Sequence, residues 1–552
     1  MLQPLRWIYS SLVSCVLLPA YTASAQAPTV QWERSFGGSQ ADVLNTAQPT
    51  LDGGFILGGA SSSGVSGDRS QPNQGVASDY WIVKLGAAGI KEWDRRFGGA
   101  QNDELWSVLQ TADGGYLLGG TSFSGIGGDK TQAGQGNFDY WVVKLDAQGN
   151  KQWDRAYGGS EGETLRSLKQ TSDGGYILGG YSSSGITGDK TQPNRADPVF
   201  PNSTDYWIIK IDVQGNKQWD RTFGGNATEF FSEIQQTTDG GYILGGSSLS
   251  DASEDRTDVL RGVRDYWMVK IDAQGNKQWD RAFGGSGTNA MRRVQQTADG
   301  GYIVCGESTS GISGDKTEPS KGESDIWLVK LDAAGAKQWD RTIGGTSGDV
   351  GYAIQQTRDG GYAIGGSSVS NISGDKTESP RGGGDYWVVK LNAQGAKLWD
   401  RTLGGSQADQ VYSLQQLADG SYIIGGTSVS GATGDKSQPS QGSSDYWVIK
   451  LDSESLPMSA AAVNGSDFHQ LALYPNPAHD VVQVQWPSSA TTRTGWHLHL
   501  VDALGRTVLR KAITGLAIEP IEIAVKNYPS GLYILRIEGP EGSVYSQRLA
   551  IN

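Results

Sequence analysis

A block of about 60 residues recurs seven times between residues 29 and 452, and nothing else in the 552-residue sequence constrains the fold as tightly. A Trp followed by an acid and Arg stands at Trp32, Trp93, Trp153, Trp219, Trp279, Trp339 and Trp399, at intervals of 61, 60, 66, 60, 60 and 60 residues. A second Trp, within Asp-Tyr-Trp or Asp-Ile-Trp, stands at Trp81, Trp141, Trp207, Trp267, Trp327, Trp387 and Trp447. Units of this length stack because none can bury its apolar face alone, and seven of them favour a closed β-propeller over an open solenoid.

Each copy parses into four strands. In the last, Val411 to Gln416 is strand A, Tyr422 to Thr427 strand B and Asp445 to Leu451 strand C, with a turn at Ala418-Asp419-Gly420 and a long B–C loop from Val429 to Ser444. Strand D is read from earlier copies, for example Lys337 to Arg341 after the turn Asp332-Ala333-Ala334-Gly335. Such turns need positive-φ residues, which accounts for 79 Gly in the chain, about twice the usual ~7%. The last copy stops after strand C, whereas Thr29-Val30-Gln31-Trp32-Glu33-Arg34 is a strand D with no C before it. Pairing the two closes the ring and removes two exposed sheet edges. The recurring Trp pairs read as packing between neighbouring sheets, and glycine pairs such as Gly98-Gly99 as points of close backbone approach.

Both ends carry an address. Residues 1–25 read as an export signal, with Arg6, an apolar stretch from Trp7 to Tyr21, and Ala23-Ser24-Ala25 as the small-residue cleavage site. A rival reading takes Leu12-Val13-Ser14-Cys15 as a lipoprotein box, although the apolar run continues past Cys15. After cleavage behind Ala25, Cys305 is the one remaining thiol, so no intramolecular disulfide is expected. Residues 453–467 read as a linker. From residue 468 the repeats stop, and Leu473-Tyr474-Pro475-Asn476-Pro477, Val501-Asp502-Ala503-Leu504-Gly505-Arg506 and Tyr528-Pro529-Ser530-Gly531-Leu532-Tyr533 follow in order, ending on Gln547-Arg548-Leu549-Ala550-Ile551-Asn552. That series resembles the type A C-terminal sorting domain of cargo for the type IX secretion system of Bacteroidota, with Arg548 where that family often has Lys. The resemblance implies a small Ig-like β-sandwich over residues 468–552, passage through the type IX machinery, and a secreted or outer-surface product. His469, His479, His497 and His499 lie here without the spacing of a metal site.

In a four-strand meander the A–B and C–D turns share one face of the disc. The long B–C loops and the D-to-A crossings share the other, where function is expected. Immediately before strand A an acid recurs at Asp42, Asp103, Glu163, Glu229, Asp349 and Asp409, with Asn289 in the fifth copy. In a closed ring these acids are expected to crowd the channel mouth. They admit a structural reading, fixing the turn between blades through backbone N–H groups, and a functional one, holding Ca2+ through oxygen ligands; no other cofactor is expected. The B–C loops add Asp68, Asp129, Asp189, Asp255, Asp315, Asp375 and Asp435, expected to pair with the Lys that follows most of them. Three residues after each strand-A acid the copies differ: Asn45, Trp106, Arg166, Ser232, Arg292, Tyr352 and Tyr412. Variation at one position inside uniform copies marks Trp106, Arg166, Arg292, Tyr352 and Tyr412 as candidate ligand-binding residues, since aromatics and Arg suit a glycan or protein surface. Copies three and four also break the pattern, by an insertion containing Pro198, Phe200 and Pro201 and by the loop Asp258–Arg264, read equally as a partner site or as loop drift.

The charges sum to 46 − 59 = −13, with a pI of about 4.9, which argues against a nucleic-acid partner. Residues 29–452 contain no His, which removes triad and His-ligated zinc chemistry and leaves two-carboxylate chemistry such as glycoside hydrolysis. Acids repeated in nearly every copy fit poorly with one distinct catalytic pair. The expectation is a monomeric, secreted or surface-displayed seven-bladed propeller that binds a glycan or protein on its loop-rich face. A carboxylate-based carbohydrate-active enzyme and a structural surface protein without a specific ligand are the alternatives.

Overall fold

The computed structural model describes residues 26–195 and 203–454 and, between 472 and 551, seven strands with parts of their connections. The export signal, Cys15, most of the linker, the Pro198–Pro201 insertion, His469 and His479 lie outside the described residues. No helix occurs among the described residues. The chain divides into two compact units, Met1–Ser459 and Ala460–Asn552.

The first unit is a seven-bladed β-propeller. Six blades are four-stranded antiparallel meanders in chain order, with strand A starting at Asp42, Asp103, Glu163, Glu229, Asn289 and Asp349. The seventh joins Asp409–Gln416, Tyr422–Ser428 and Asp445–Leu451 to the N-terminal strand Val30–Phe36. Trp32 lies opposite Lys450 and Ser35 opposite Trp447, so the ring closes where the phase of the repeats placed the join. Each of the propeller's seven apolar clusters lies between two consecutive blades, the closing one joining Phe36, Tyr446 and Val448 of blade seven to Leu44, Phe55 and Trp81 of blade one.

Strand C serves two interfaces at once because successive side chains leave opposite faces of a strand. Tyr80 leans on Trp141 of the next blade, ring centroids 4.8 Å apart, and its Oη donates to the Trp141 carbonyl at 3.0 Å. The same pair closes the circle as Tyr446 on Trp81 at 4.7 Å. A Cβ on Gly120 would stand 1.9 Å from the Glu104 carbonyl oxygen and 2.7 Å from Tyr80 Oη, so strand B can only be glycine there. Trp141 also donates its Nε1 to Asp154 of the Trp-acid-Arg triplet at 3.1 Å. In blade seven the acid is Glu33, which accepts from Trp447 Nε1 at 2.8 Å and from the Ser437 backbone N–H at 3.0 Å, bridging the closure.

Blade five exchanges volume across its interface. Cys305 stands where the other six blades have Gly, and Gly351, at its facing position in blade six, replaces an apolar residue (Leu44, Leu105, Leu165, Phe231, Met291 or Val411 elsewhere). A Cβ on Gly351 would lie 2.6 Å from Cys305 Sγ.

The second unit is a small β-sandwich. Ala472–Tyr474, Val481–Gln485 and Ile521–Ala524 form one antiparallel sheet; Thr507–Ile513, Trp496–Val501, Gly531–Glu538 and Val544–Ile551 form the other. Alternate residues of both sheets, among them Val482, Val484, Leu498, Leu500, Ile523, Leu535 and Ile537, are buried between them.

Two stability outcomes follow from the interfaces. Glu33→Ala strands the buried Trp447 Nε1 and should cost ~1–3 kcal/mol in urea unfolding; an unchanged midpoint would mean that the backbone ladder alone holds the closing strand. Gly351→Leu overpacks the blade five–six interface by ~1–3 kcal/mol, and Cys305→Gly in the same chain should recover most of that loss in a double-mutant cycle.

Candidate functional site

Every strand A carries a β-bulge, and the residue left out of the ladder is each time the position at which the copies differ. A bulge sets two residues against one and re-aims the extra side chain. Strand A is the innermost strand of each blade, beside strand A of both neighbours. Asn45, Trp106, Arg166, Ser232, Arg292, Tyr352 and Tyr412 consequently line one cavity of about 390 Å³. The five candidate ligand residues are thus brought together.

Tyr181, Phe230, Arg293 and Gln410, which were not foreseen, line it as well, and so does Arg264, the last residue of the loop read as a partner site or as drift. Arg264 immediately precedes strand C and Phe230 and Gln410 are the second residues of their strands A, which places this end of the channel on the side of the B–C loops. The test of variation among copies would have found them, since Phe230 and Gln410 match Val43, Glu104, Thr164, Ala290 and Val350 elsewhere.

The cavity wall is built from stacked pairs. The Arg166 guanidinium lies 3.9 Å from the Trp106 ring centroid, Arg264 lies 4.2 Å from Phe230, and Arg292 lies 5.4 Å from Tyr352. Tyr352 and Tyr412 meet edge-on at 5.3 Å, and Gln410 ties them, donating to Tyr352 Oη and accepting from Tyr412 Oη at 2.6 Å each. Deeper in the channel a second compartment of about 400 Å³ holds Ser167, Lys169, Glu233 and Arg293. Burial pushes the Glu233 carboxyl up, but the Lys169 and Arg293 charges, with nitrogens at 2.8 and 3.4 Å, prevail and hold it below its ordinary value.

Asp42, Asp103, Glu163, Glu229, Asp349 and Asp409 do not stand at the channel mouth. All six are buried. The Gly-Gly crossing before strand A has N–H groups without a ladder partner, and such groups must find an acceptor. Gly38 donates to Asp42, Gly99 to Asp103, Gly345 to Asp349 and Gly405 to Asp409 at 2.7 Å, and Gly159 to Glu163 at 2.9 Å. Glu229 accepts from Ser248 and Ser250 hydroxyls at 2.8 and 2.5 Å. Burial raises the pKa of Asp42, Asp103, Asp349 and Asp409. It lifts the strand-C acids Asp79, Asp139 and Asp445 to about 6.

The loop acids also differ from expectation. The Lys after Asp129 does not pair with it: Lys130 is buried, donating to Ser122 Oγ at 3.0 Å and the Ser124 carbonyl at 2.8 Å. Asp129 instead pairs with Arg96 of the preceding blade at 2.7 Å, and Asp435 with Arg381 at 3.1 Å. The inward lysine offsets the charge of Asp103 and Asp139, the task that the Ca2+ reading gave to a metal. Among the described residues no group of three His, Cys, Asp or Glu could hold a metal ion.

Residues 472–552 match the family model described as the secretion system C-terminal sorting domain. The C-terminal unit is a type IX sorting domain. The sorting domain marks the chain as secreted or attached to the outer cell surface and implies contact with the type IX machinery. The chain is 24% identical over 230 residues to the regulatory protein FlaEY of Caulobacter vibrioides, a match covering 39% of this chain and 24% of that protein. The chain therefore spans about a quarter of that relative's length. Similar solved structures include the Pan2 WD40 domain of Neurospora crassa, at 9% identity and a TM-score of 0.40 over 76% of this chain and 97% of that one. Another is Sqt1 of Chaetomium thermophilum, at 10% identity and a TM-score of 0.37 over 78% of this chain and 100% of that one.

The buried acids set a pH response. Acids with a raised pKa bind more protons folded than unfolded, so their contribution to stability falls as pH rises from about 4 to 6 and beyond. On the opposite face Asp52 and Asp113 behave inversely. Burial pushes them up, but hydrogen bonds from Lys84 and Thr50, and from Thr111 and Lys144, bring each down to about 2. Their contribution is lost as pH falls below about 4. The melting temperature should therefore peak near pH ~4–5 and be lower at both pH ~2.5 and pH ~7.5; a steady rise from pH ~4 to ~7.5 would contradict this placement of the acids.

Proposed function

We propose that the chain is an exported binding protein whose propeller takes a glycan or protein ligand into the cavity on its loop-rich face. One observation carries this reading. The copies are uniform where side chains pack and differ at the bulge, and the seven bulge residues converge on one cavity. Scaffold positions are fixed by packing, so a position that escapes the ladder and lies outside the apolar clusters between blades is where a ligand can shape the sequence. The aromatic and Arg content of that ring suits recognition. Binding is favoured over two-acid hydrolysis because the one carboxylate lining the two compartments, Glu233, is already tied to Lys169 and Arg293. In this reading residues 1–25 are removed on export, residues 29–452 are the binding domain and residues 453–467 link it to the sorting domain.

Trp106→Ala with Tyr352→Ala should abolish, or weaken at least about tenfold, the binding detected by glycan and protein arrays, while circular dichroism stays that of the parent. Unchanged binding in the double variant would remove the cavity as the ligand site.

A further inference from the structure

We propose that this cavity selects acidic glycans, with Arg166 and Arg264 gripping a carboxylate or sulfate borne on the sugar. The inference rests on the ligand reading above and adds the charge and chemical class of the ligand.

The first support is charge. The cavity is lined by Arg166, Arg264, Arg292 and Arg293 and by no carboxylate, in a chain whose net charge is −13. Two of the four are already answered: Arg292 pairs with Glu307 at 2.7 Å and Arg293 with Glu233 at 3.4 Å. Arg166 and Arg264 have no carboxylate partner among the described residues, and the buried Arg264 Nε has no acceptor. Burial, followed by the neighbouring Arg292 charge, pushes the Arg264 guanidinium below its ordinary pKa. Two like charges held in one cavity favour an anion between them.

The second support is geometry. Arg166 is stacked on Trp106 and Arg264 on Phe230, at 3.9 and 4.2 Å. Stacking fixes the plane of a guanidinium and leaves its N–H fork free at the edge, the arrangement that matches a planar carboxylate or a sulfate edge with two parallel hydrogen bonds. The ordering cost of these long side chains is met before a ligand arrives.

The third support distinguishes a sugar from an acidic peptide. The lining contains aromatic, amide, hydroxyl and guanidinium side chains and no aliphatic one. Aromatic faces suit the C–H face of a pyranose and the amide and hydroxyl groups suit its ring hydroxyls, whereas the lining has no aliphatic pocket for the apolar side chains that flank an acidic residue in a peptide. A volume of about 390 Å³ is at the lower end for ligand pockets, adequate for a terminal sugar and its neighbour.

The test is calorimetric titration of the full chain with trigalacturonate, its methyl ester, a sulfated disaccharide, maltotriose and hexaglutamate. An acidic sugar should bind, with the uncharged sugars at least about tenfold weaker; whether trigalacturonate or the sulfated disaccharide binds tighter identifies the anion. Arg264→Gln and Arg166→Gln should each weaken binding about tenfold or more, and Arg264→Lys should restore only part of it, because an ammonium lacks the fork. The ester comparison needs no variant and so stands even if a substitution disturbs folding. Equal binding of acid and ester, binding of hexaglutamate without any sugar, or binding of none of the probes overturns the inference. If the ester binds equally but Trp106→Ala with Tyr352→Ala still abolishes that binding, the ligand cavity stands and its selectivity for anions falls; if binding survives the double variant, both fall.

Discussion

Without the ladder between Val30–Phe36 and Asp445–Leu451, the seventh blade would end on an open strand edge, and the cluster against blade one would lose Phe36. Strands A of blades seven and one, side by side in the closed ring, would then be held by the rest of that cluster alone. The channel exists only while all seven strands A face inward, so closure comes before any site. The closing contact also has a polar component: Glu33 takes the place that Asp94 or Asp154 has elsewhere and accepts Trp447 Nε1 from across the join. One side-chain pair thus repeats a blade's internal bond between two ends of the chain more than 400 residues apart.

Much of this was legible because repetition turns one sequence into seven readings of the same fold. The spacing of Trp81 to Trp447 showed the blades, and the orphan strand at Trp32 showed where they join. The Trp residues were legible as packing but not as hydrogen-bond donors, because the acid after the strand-D Trp reads as an ordinary surface charge until strands C and D are laid side by side. The exchange between Cys305 and Gly351 was likewise hidden: each looks like drift in its own copy, and only the facing register shows that one gained the volume the other lost.

The strand-A acids show the limit most clearly. Six carboxylates at matching positions look like a ring of charge, and in sequence nothing says which way Asp103 turns. The deciding factor is the Gly-Gly crossing, whose N–H groups have no ladder to join. A carboxylate four residues on is their nearest acceptor, and leaving a buried donor unanswered costs ~1–3 kcal/mol. Backbone satisfaction therefore draws the acids away from the channel, and the inward Lys130 balances charge where water cannot. The loop acid is left to clasp the preceding blade, as Asp129 does with Arg96.

A scaffold assembled from near-identical copies has one difficulty as a binding protein: symmetry spreads any feature around the whole ring. The bulge resolves it. Its residue makes no ladder bond and takes no part in the Tyr-Trp contact that fixes Tyr80 and Trp141; it meets the next blade only through its own side chain, as Asn45 does at the Leu105 carbonyl and Trp106 under Arg166, so its type can change from blade to blade. Asymmetry then accumulates in the cavity, with stacked arginines on the side of blades two to five and the paired tyrosines on blades six and seven. The one described thiol, Cys305, is buried and free, so among the described residues the propeller is held by its strand ladders and by the seven apolar clusters between its blades.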